Sequence, residues 1–169
     1  MKPEDFDGQG PRLTLESFFA GRTRAWGIFQ DRFGTLRQQF TVEIQGAWDD
    51  AKRTLTLTED FHYADGNEER RVWAIEKLDD NSYRATAGDV VGSAAVKCYG
   101  NVVNLSYRMQ VAVNGKDWTL DFDDWMFRQD ENVVINRAEV TKWGLKVGTA
   151  TIFFHRKGEM EERNQAAEG

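Results

Sequence analysis

Residues 101–128 decide the fold, and their sequence is NVVNLSYRMQVAVNGKDWTLDFDDWMFR. From Val103 to Val113 an apolar side chain occupies every second position. This period of two is typical of a β-strand that buries one face. Asn114 and Gly115 follow, which is the strongest short signal for a hairpin, and the alternation then resumes. The stretch therefore predicts two long antiparallel strands joined by a tight turn.

The same alternation, interrupted by Asn, Asp or Gly, extends over most of the chain and predicts nine or ten strands. The predicted strands are residues 22–33, 36–46, 53–63, 69–78, 82–88, 90–99, 101–113, 117–128, 133–141 and 143–156. Residues 13–20 predict one or two helical turns that plug one end of the structure. No helix of crossover length separates the strands, which excludes a parallel α/β fold. The pattern predicts an all-β protein, either a closed antiparallel barrel or a two-sheet sandwich.

Length and composition favour a single domain. With 169 residues, the chain is long enough to bury a core without crosslinks. We assign the domain to residues 13–157, between an N-terminal tail of residues 1–12 and a polar C-terminal tail of residues 158–169. Cys98 is the only cysteine, so no internal disulfide is possible. These features leave the oligomeric state open.

Charge and hydropathy limit the partners and the compartment. The chain has 28 acidic and 22 basic residues and a net charge of -6. Nucleic acids and anionic membranes require a positive field, so neither is expected as the default partner. No apolar segment approaches the roughly 20 residues that span a bilayer, so stable membrane insertion is not expected. Residues 1–10 lack the basic and apolar regions of a leader, which predicts a cytoplasmic protein, or a periplasmic or envelope protein if a leader has been removed.

The candidate functional residues are charged side chains that share the parity of apolar neighbours. Glu59 alternates with Leu57 and Phe61, and Asp124 alternates with Phe122. A charge on the apolar face of a strand is predicted to point into the barrel. Buried charges persist only when they are paired or bound to a ligand.

Two arginines have the same property. Arg71 lies two residues before Trp73, and Arg137 shares the parity of Ile135. If the preceding turn centres near Asp130, Arg137 lies opposite Asp123 or Asp124 across a hairpin. One interpretation is that these charges pair and fix strand register; the other is that they orient the polar end of a ligand. We assign as ligand-binding candidates Glu59, Arg71, Trp73, Tyr107, Asp124 and Arg137.

Motifs for other chemistries are missing from the sequence. It contains no HExxH, HxH or CxxC pattern for zinc, no G-x-S-x-G turn, and no phosphate-binding glycine loop. The sequence therefore predicts no catalytic residue, no metal and no cofactor.

The chain resembles a family of bacterial lipocalin-like proteins described as a domain of unknown function, many of which look like lipid-anchored envelope proteins. The motifs that carry the resemblance are Phe18-Phe19-Ala20-Gly21, Ala25-x-Gly27, Leu57-x-Glu59-x-Phe61-x-Tyr63, Asp65-Gly66, Arg71-x-Trp73, Gly88-Asp89-Val90-x-Gly92, Gly100-Asn101, Asp123-Asp124-Trp125-Met126, Asn136-Arg137 and Lys142-x-Gly144. The resemblance covers residues 14–156. It implies a calycin-type barrel of eight to ten strands and names no substrate.

Three functions fit these observations. The first is a lipocalin-like binding protein that holds a hydrophobic small molecule, such as a lipid or an isoprenoid-like compound, inside the barrel. The second is a lipocalin-like enzyme of the hydratase or isomerase type that acts on a lipid-like substrate with the inward acids. The third is a structural or interaction protein whose barrel is filled by its own side chains.

Overall fold

The structure, a computed structural model, describes residues 1–157 and 166–169. Ten antiparallel strands form one closed barrel in the order β1-β10-β9-β8-β7-β6-β5-β4-β3-β2. The strands are β1 (Gly21–Asp31), β2 (Leu36–Asp49), β3 (Thr54–Tyr63), β4 (Glu68–Asp79), β5 (Ser82–Thr86), β6 (Ala94–Tyr99), β7 (Val102–Val113), β8 (Lys116–Arg128), β9 (Val133–Lys142) and β10 (Leu145–Arg156). The prediction of an all-β closed barrel is confirmed. Residues 158–165 of the predicted C-terminal tail lie outside the described residues.

The hairpin of β7 and β8 forms as its sequence predicts. Val113 pairs with Lys116, and Asn114 and Gly115 between them have φ angles of 51° and 77°. Positive φ at both central residues defines the tight turn whose twist matches the flanking strands. The inward residues of β7 then alternate along the strand as the period of two requires.

A short helix, α1 (Leu15–Phe19), closes one end of the barrel, which we call the closed end. The Thr14 hydroxyl accepts a hydrogen bond from the Ser17 N–H at 3.3 Å and so caps the helix. Phe18 and Phe19 are buried against the strand ends. Gly46 permits this packing, because a Cβ atom there would lie 1.8 Å from the Phe19 carbonyl oxygen.

A partly buried carboxylate at the closed end, that of Glu16, is fully paired. The Tyr83 hydroxyl donates to Glu16 at 2.5 Å, and the Lys77 ammonium donates to the other oxygen of the same carboxylate. Burial alone would raise the pKa of Glu16, but these hydrogen bonds outweigh burial and lower the pKa. Glu16 is therefore part of the scaffold, since a cation and a hydroxyl satisfy its carboxylate.

Residues 1–12 lie against the closed end. They include a 3₁₀ helix over Pro3–Phe6, and the Phe6 ring packs 6.3 Å from the Phe127 ring. Leu13 N–H donates to the Gly100 carbonyl at 2.8 Å. In the residues that the structure describes, no helix is long and apolar enough to cross a membrane.

The opposite end of the barrel, which we call the open end, is formed by the turns β1–β2, β3–β4, β7–β8 and β9–β10. Neither α1 nor the 3₁₀ helix reaches it. The loop between β5 and β6 approaches this end along β7, because Val90 bridges Met109. A ligand that enters the barrel would therefore enter at the open end.

Candidate functional site

The register of β3 and β4 brings three of the predicted site residues together. Glu59 lies opposite Arg71, and Leu57 lies opposite Trp73. All four side chains face the barrel interior, as the alternation predicts. Trp73 is buried, whereas Glu59 and Arg71 keep some accessible surface.

The Arg71 guanidinium is held by two acids. Its Nε donates to the two Asp89 carboxylate oxygens at 3.2 and 3.0 Å, and its Nη2 donates to Glu69 at 3.3 Å. The guanidinium also lies over the Phe61 ring at 5.0 Å. Burial alone would lower the pKa of Arg71, but these acids, together with the charge of Glu59, raise it. Arg71 is thus a charged group whose Nε and Nη2 donors are engaged by acids.

Glu59 is different, since it forms no salt bridge in the part of the chain that the structure describes. Burial raises the pKa of its carboxyl to about 7. The charge of Arg71 and the indole N–H of Trp73 oppose this shift, while the nearby Asp124 adds to it. Glu59 is therefore an interior carboxyl that is protonated in part at neutral pH.

Asp124, on β8, lies on the same inner surface. Its carboxylate accepts a hydrogen bond from the Tyr107 hydroxyl at 3.3 Å and another from the Asn136 amide. Burial raises the pKa of Asp124 to about 6 although both hydrogen bonds act to lower it. Tyr107 itself has a pKa raised well above its ordinary value, first by burial and then by the charge of Asp124. The Tyr107 hydroxyl therefore stays protonated and remains a donor.

Asn136 brings an acceptor that lacks a donor. Its side chain is 1% exposed, and its amide nitrogen donates to Asp124 and to the Trp125 carbonyl, the latter at 3.3 Å. The amide oxygen is buried and has no hydrogen-bond partner among the described residues. A buried acceptor without a donor costs free energy, so such atoms commonly mark a place where a water or a ligand binds.

We call this group the interior cluster. Its members are Glu59, Glu69, Arg71, Asp89, Tyr107, Asp124 and Asn136. Four carboxyl groups and one guanidinium face each other here, and the acceptors outnumber the available donors. The cluster therefore suits a polar group that donates hydrogen bonds.

The prediction that Arg137 points into the barrel is wrong. Arg137 is exposed on the outer surface and lies opposite Trp125, whereas Asp124 lies opposite Ala138. The predicted turn centre near Asp130 is one position too early, which shifts the pairing by two residues and leaves every side chain on its own face. The error is one of parity: Arg137 shares the face of Ile135, and that face points outward because the buried positions of this strand are Val134, Asn136 and Ala138. Its neighbour Asn136 takes the inward position.

Aromatic side chains line the interior beside the cluster. Tyr107 stacks on Phe122 with ring centroids 5.0 Å apart, and Trp73 meets the Tyr107 ring edge-on at 5.5 Å. Tyr63 and Phe122 face inward yet remain partly exposed, in contrast to the buried rings at the closed end. Interior side chains keep accessible surface only where the barrel leaves room, so this half of the interior is not packed solid.

Asp89 and Asn136 are site residues that the alternation could not identify. Asp89 lies in the loop after β5 and reaches Arg71 only because that loop is held along β7 by a hydrogen bond from Gln110 N–H to the Asp89 carbonyl. No strand period applies to a loop. Both residues belong to motifs of the family resemblance, which was the only signal for them.

The fold and the site define a class. A closed antiparallel barrel with a short helix at one end and a polar group in its interior is a lipocalin-like protein. The chain belongs to the family described as Protein of unknown function (DUF3833), whose profile matches residues 1–156. The resemblance to a lipocalin-like family of unknown function is thereby confirmed; bacterial origin and lipid anchoring stay predictions.

Solved structures agree with this assignment at the level of the fold. An S-type phycobiliprotein lyase from Guillardia theta has a TM-score of 0.62 at 11% identity, over 94% of this chain and 99% of that chain. A protein of unknown function of the DUF3598 family from Nostoc punctiforme has a TM-score of 0.60 at 10% identity, over 88% of this chain and 51% of that chain. No curated protein matches the sequence. Identities this low establish a shared fold and nothing about the ligand.

Proposed function

We propose that the protein is a lipocalin-like binding protein that holds a hydrophobic small molecule, lipid or isoprenoid-like, inside the barrel. The polar end of this ligand binds at the interior cluster. The observation that carries the proposal is the buried amide oxygen of Asn136, which has no donor among the described residues, beside the unpaired carboxyl of Glu59. Barrels of this kind commonly enclose one small ligand.

The cluster favours a ligand whose polar end donates hydrogen bonds. The Nε and Nη2 donors of Arg71 already bind Asp89 and Glu69, so the charge of this guanidinium is balanced before a ligand binds. A carboxylate would also face the acidic side chains of Glu59 and Asp124. A hydroxyl or an amine instead supplies the donor that the Asn136 amide oxygen lacks and a further donor for the Glu59 carboxyl. The ligand class is therefore a long-chain alcohol or amine rather than a fatty acid.

The aromatic surface next to the cluster provides the apolar contact. Tyr107 and Phe122 present stacked rings, and Phe61 and Tyr63 form a second stack with centroids 6.1 Å apart. Burial of about 200 Å² of ligand apolar surface would contribute roughly 5 kcal/mol before the costs of association. This apolar contribution retains a ligand through purification only if the polar end of the ligand also forms hydrogen bonds.

Two measurements test the proposal. Native mass spectrometry and solvent extraction of the purified protein should reveal a bound hydrophobic compound. Displacement of the neutral fluorescent probe N-phenyl-1-naphthylamine at pH 8 should then rank hexadecanol and hexadecylamine above hexadecanoate. A preference for hexadecanoate, or no binding of any of the three and no extracted compound, would overturn the proposal.

Variants locate the binding within the barrel. Glu59→Gln removes the acceptor charge and should weaken hexadecylamine binding more than hexadecanol binding. Arg137→Gln changes an exposed charge on the outer surface and should leave all three ligands unaffected. An equal loss in both variants would contradict binding at the interior cluster.

A second function, an enzyme acting on a lipid-like substrate, is favoured by one observation. Two interior carboxyls have pKa values raised to about 7 and about 6, which suits proton transfer near neutral pH. If the extracted compound is converted by the protein, Glu59→Gln should lower turnover far more than it lowers binding. Unchanged turnover in this variant would exclude Glu59 as the acid or base.

A further inference from the structure

Three neighbouring turns at the open end carry an unusual set of exposed apolar side chains. The turns cover residues 31–36, 113–118 and 142–146. Their exposed apolar residues are Phe33, Leu36, Val113, Trp118, Trp143 and Leu145. Trp143 is 87% exposed, Phe33 is 78% exposed and Leu145 is 68% exposed. We call these three turns the rim patch.

Contacts between the turns make the rim patch continuous. Arg32 N–H donates to the Val147 carbonyl at 3.0 Å, which ties the β1–β2 turn to the start of β10. The Lys142 ammonium lies 4.9 Å from the Trp118 ring and 4.5 Å from the Trp143 ring. It therefore joins the β7–β8 hairpin to the β9–β10 turn.

The backbone conformation of Trp143 is energetically unfavourable. Its φ angle is 52°, in the left-handed region that favours Gly, Asn or Asp, and the next residue, Gly144, has a φ of 77°. A bulky side chain in this conformation is strained, and apart from its contact with Lys142 the ring is exposed to water. Stability alone would favour Asn at this tip. The tryptophan is therefore best explained by a contact outside the protein.

The rim patch is basic although the whole chain is acidic. Its three segments contain the basic residues Arg32, Lys116, Lys142 and Lys146 and the acidic residues Asp31 and Asp117. Asp31 pairs with Arg37 at 2.7 Å and Lys146 pairs with Glu139 at 4.0 Å. Arg32, Lys116 and Lys142 then remain against one acid, Asp117. The β3–β4 turn across the open end instead carries acidic residues, Asp65 and Glu68. The field at the open end is thus positive only where the aromatic side chains are exposed.

We propose that the rim patch docks the protein on the surface of an anionic lipid bilayer. Tryptophan and phenylalanine side chains insert at the level of the headgroups, and lysine and arginine bind the anionic lipids around them. A second copy of this chain fits the patch less well, because a symmetric contact would bring the basic side chains of both copies together. Docking places the open end of the barrel at the bilayer without any segment crossing it.

Vesicle flotation tests this docking. With vesicles of phosphatidylcholine and phosphatidylserine in a 3:1 ratio, the protein should float with the lipid at low salt, and its tryptophan emission should shift to shorter wavelength. Vesicles of phosphatidylcholine alone should bind at least tenfold less. Each basic side chain that is removed, as in Lys142→Ala, should lower the affinity roughly fivefold.

Matched variants separate the rim patch from general hydrophobicity. Trp143→Ser and Leu145→Ser should each reduce flotation at least threefold, whereas Leu78→Ser, which is similarly exposed at the closed end, should not. Glu59→Gln should float like the unmodified protein, so a failure of the interior ligand site leaves this test intact. Equal binding by all variants, no binding to anionic vesicles, or a self-association that Trp143→Ser abolishes would overturn the proposal.

Discussion

The closed end and the interior cluster each contain a tyrosine hydroxyl that donates to a buried carboxylate, yet the two carboxylates behave oppositely. Glu16 accepts from Tyr83 at 2.5 Å and from Lys77, and its pKa is lowered. Asp124 accepts from Tyr107 at 3.3 Å and from Asn136, and its pKa is raised to about 6. The difference is a cation: Lys77 neutralises Glu16, and no cation neutralises Asp124 within the described residues.

This difference separates scaffold from site. At the closed end the Glu16 carboxylate is paired with the Lys77 ammonium, so its burial costs little stability. In the interior cluster, Glu59 and Asp124 are held beside one arginine that forms its salt bridges with Asp89 and Glu69, so the cluster costs stability. Protein interiors retain such groups where a function requires them.

The largest expected loss of stability comes from removing a buried side chain at the closed end. Phe18→Ala removes a fully buried ring that packs 4.9 Å from Phe19 and lies under the Arg128 guanidinium. We expect the free energy of unfolding to fall by about 3–5 kcal/mol, because the cavity cannot collapse against a closed sheet. Denaturant unfolding followed by tryptophan fluorescence measures it.

Phe153→Ala is the control for this variant. Phe153 lies on the outer surface, 42% exposed, and packs against Trp26 with ring centroids 5.9 Å apart. Its loss should cost less than about 1.5 kcal/mol. If the two variants are equally destabilised, α1 is not the closure on which the barrel depends.

Most of the fold could be predicted from the sequence because each strand carries its own signal. All ten predicted strands exist, and Asn114-Gly115 forms the predicted hairpin turn. The inward positions of Glu59, Arg71 and Asp124 followed from alternation alone. Closure into a barrel did not, since a sandwich has the same period, and the family resemblance was needed to favour it.

The site was less predictable for two physical reasons. Around Val133, Val134 and Ile135 both parities are apolar, so alternation does not show which face of β9 points inward, and the choice of the wrong parity exchanged Arg137 for Asn136. Asp89 reaches the interior from a loop, where no period exists. The inward face of β9 and the position of Asp89 both depend on contacts between segments that are distant in sequence.

Neutralising Glu59 should stabilise the protein, in contrast to the loss of stability expected at the closed end. The pKa of Glu59 is about 7 in the folded protein and 4.5 when unperturbed, so the native state binds more protons between these values. The free energy of unfolding therefore decreases as pH rises through this range. Glu59→Gln removes that loss and should be more stable than the unmodified protein by up to about 3 kcal/mol at pH 8, and equal to it near pH 4. Urea unfolding at a series of pH values measures this.

The adjacent residue gives a control of opposite sign. Asp60 points outward and pairs with Arg70 at 2.7 Å, and hydrogen bonding from Arg70 lowers its pKa. Asp60→Asn should therefore destabilise the protein slightly at neutral pH, and this loss should disappear in acid. A stability difference between Glu59→Gln and the unmodified protein that does not grow with pH would show that Glu59 is paired after all.

The smallest effects come from the two tyrosine hydroxyls and compare the regions directly. Tyr83→Phe removes the donor to Glu16 at 2.5 Å and also the acceptor of the Leu15 N–H at 3.3 Å, and it should cost about 1–3 kcal/mol. Tyr107→Phe removes one 3.3 Å hydrogen bond to a carboxyl that is protonated in part, and it should cost less than about 1 kcal/mol.

Unfolding measurements at pH 5 and pH 8 check which of the two variants loses more stability. The cost of Tyr107→Phe should rise at pH 8, where Asp124 is charged and loses a donor, whereas the cost of Tyr83→Phe should stay constant because Glu16 is charged at both values. The reverse order would mean that Asp124, not Glu16, carries the structural hydrogen bond.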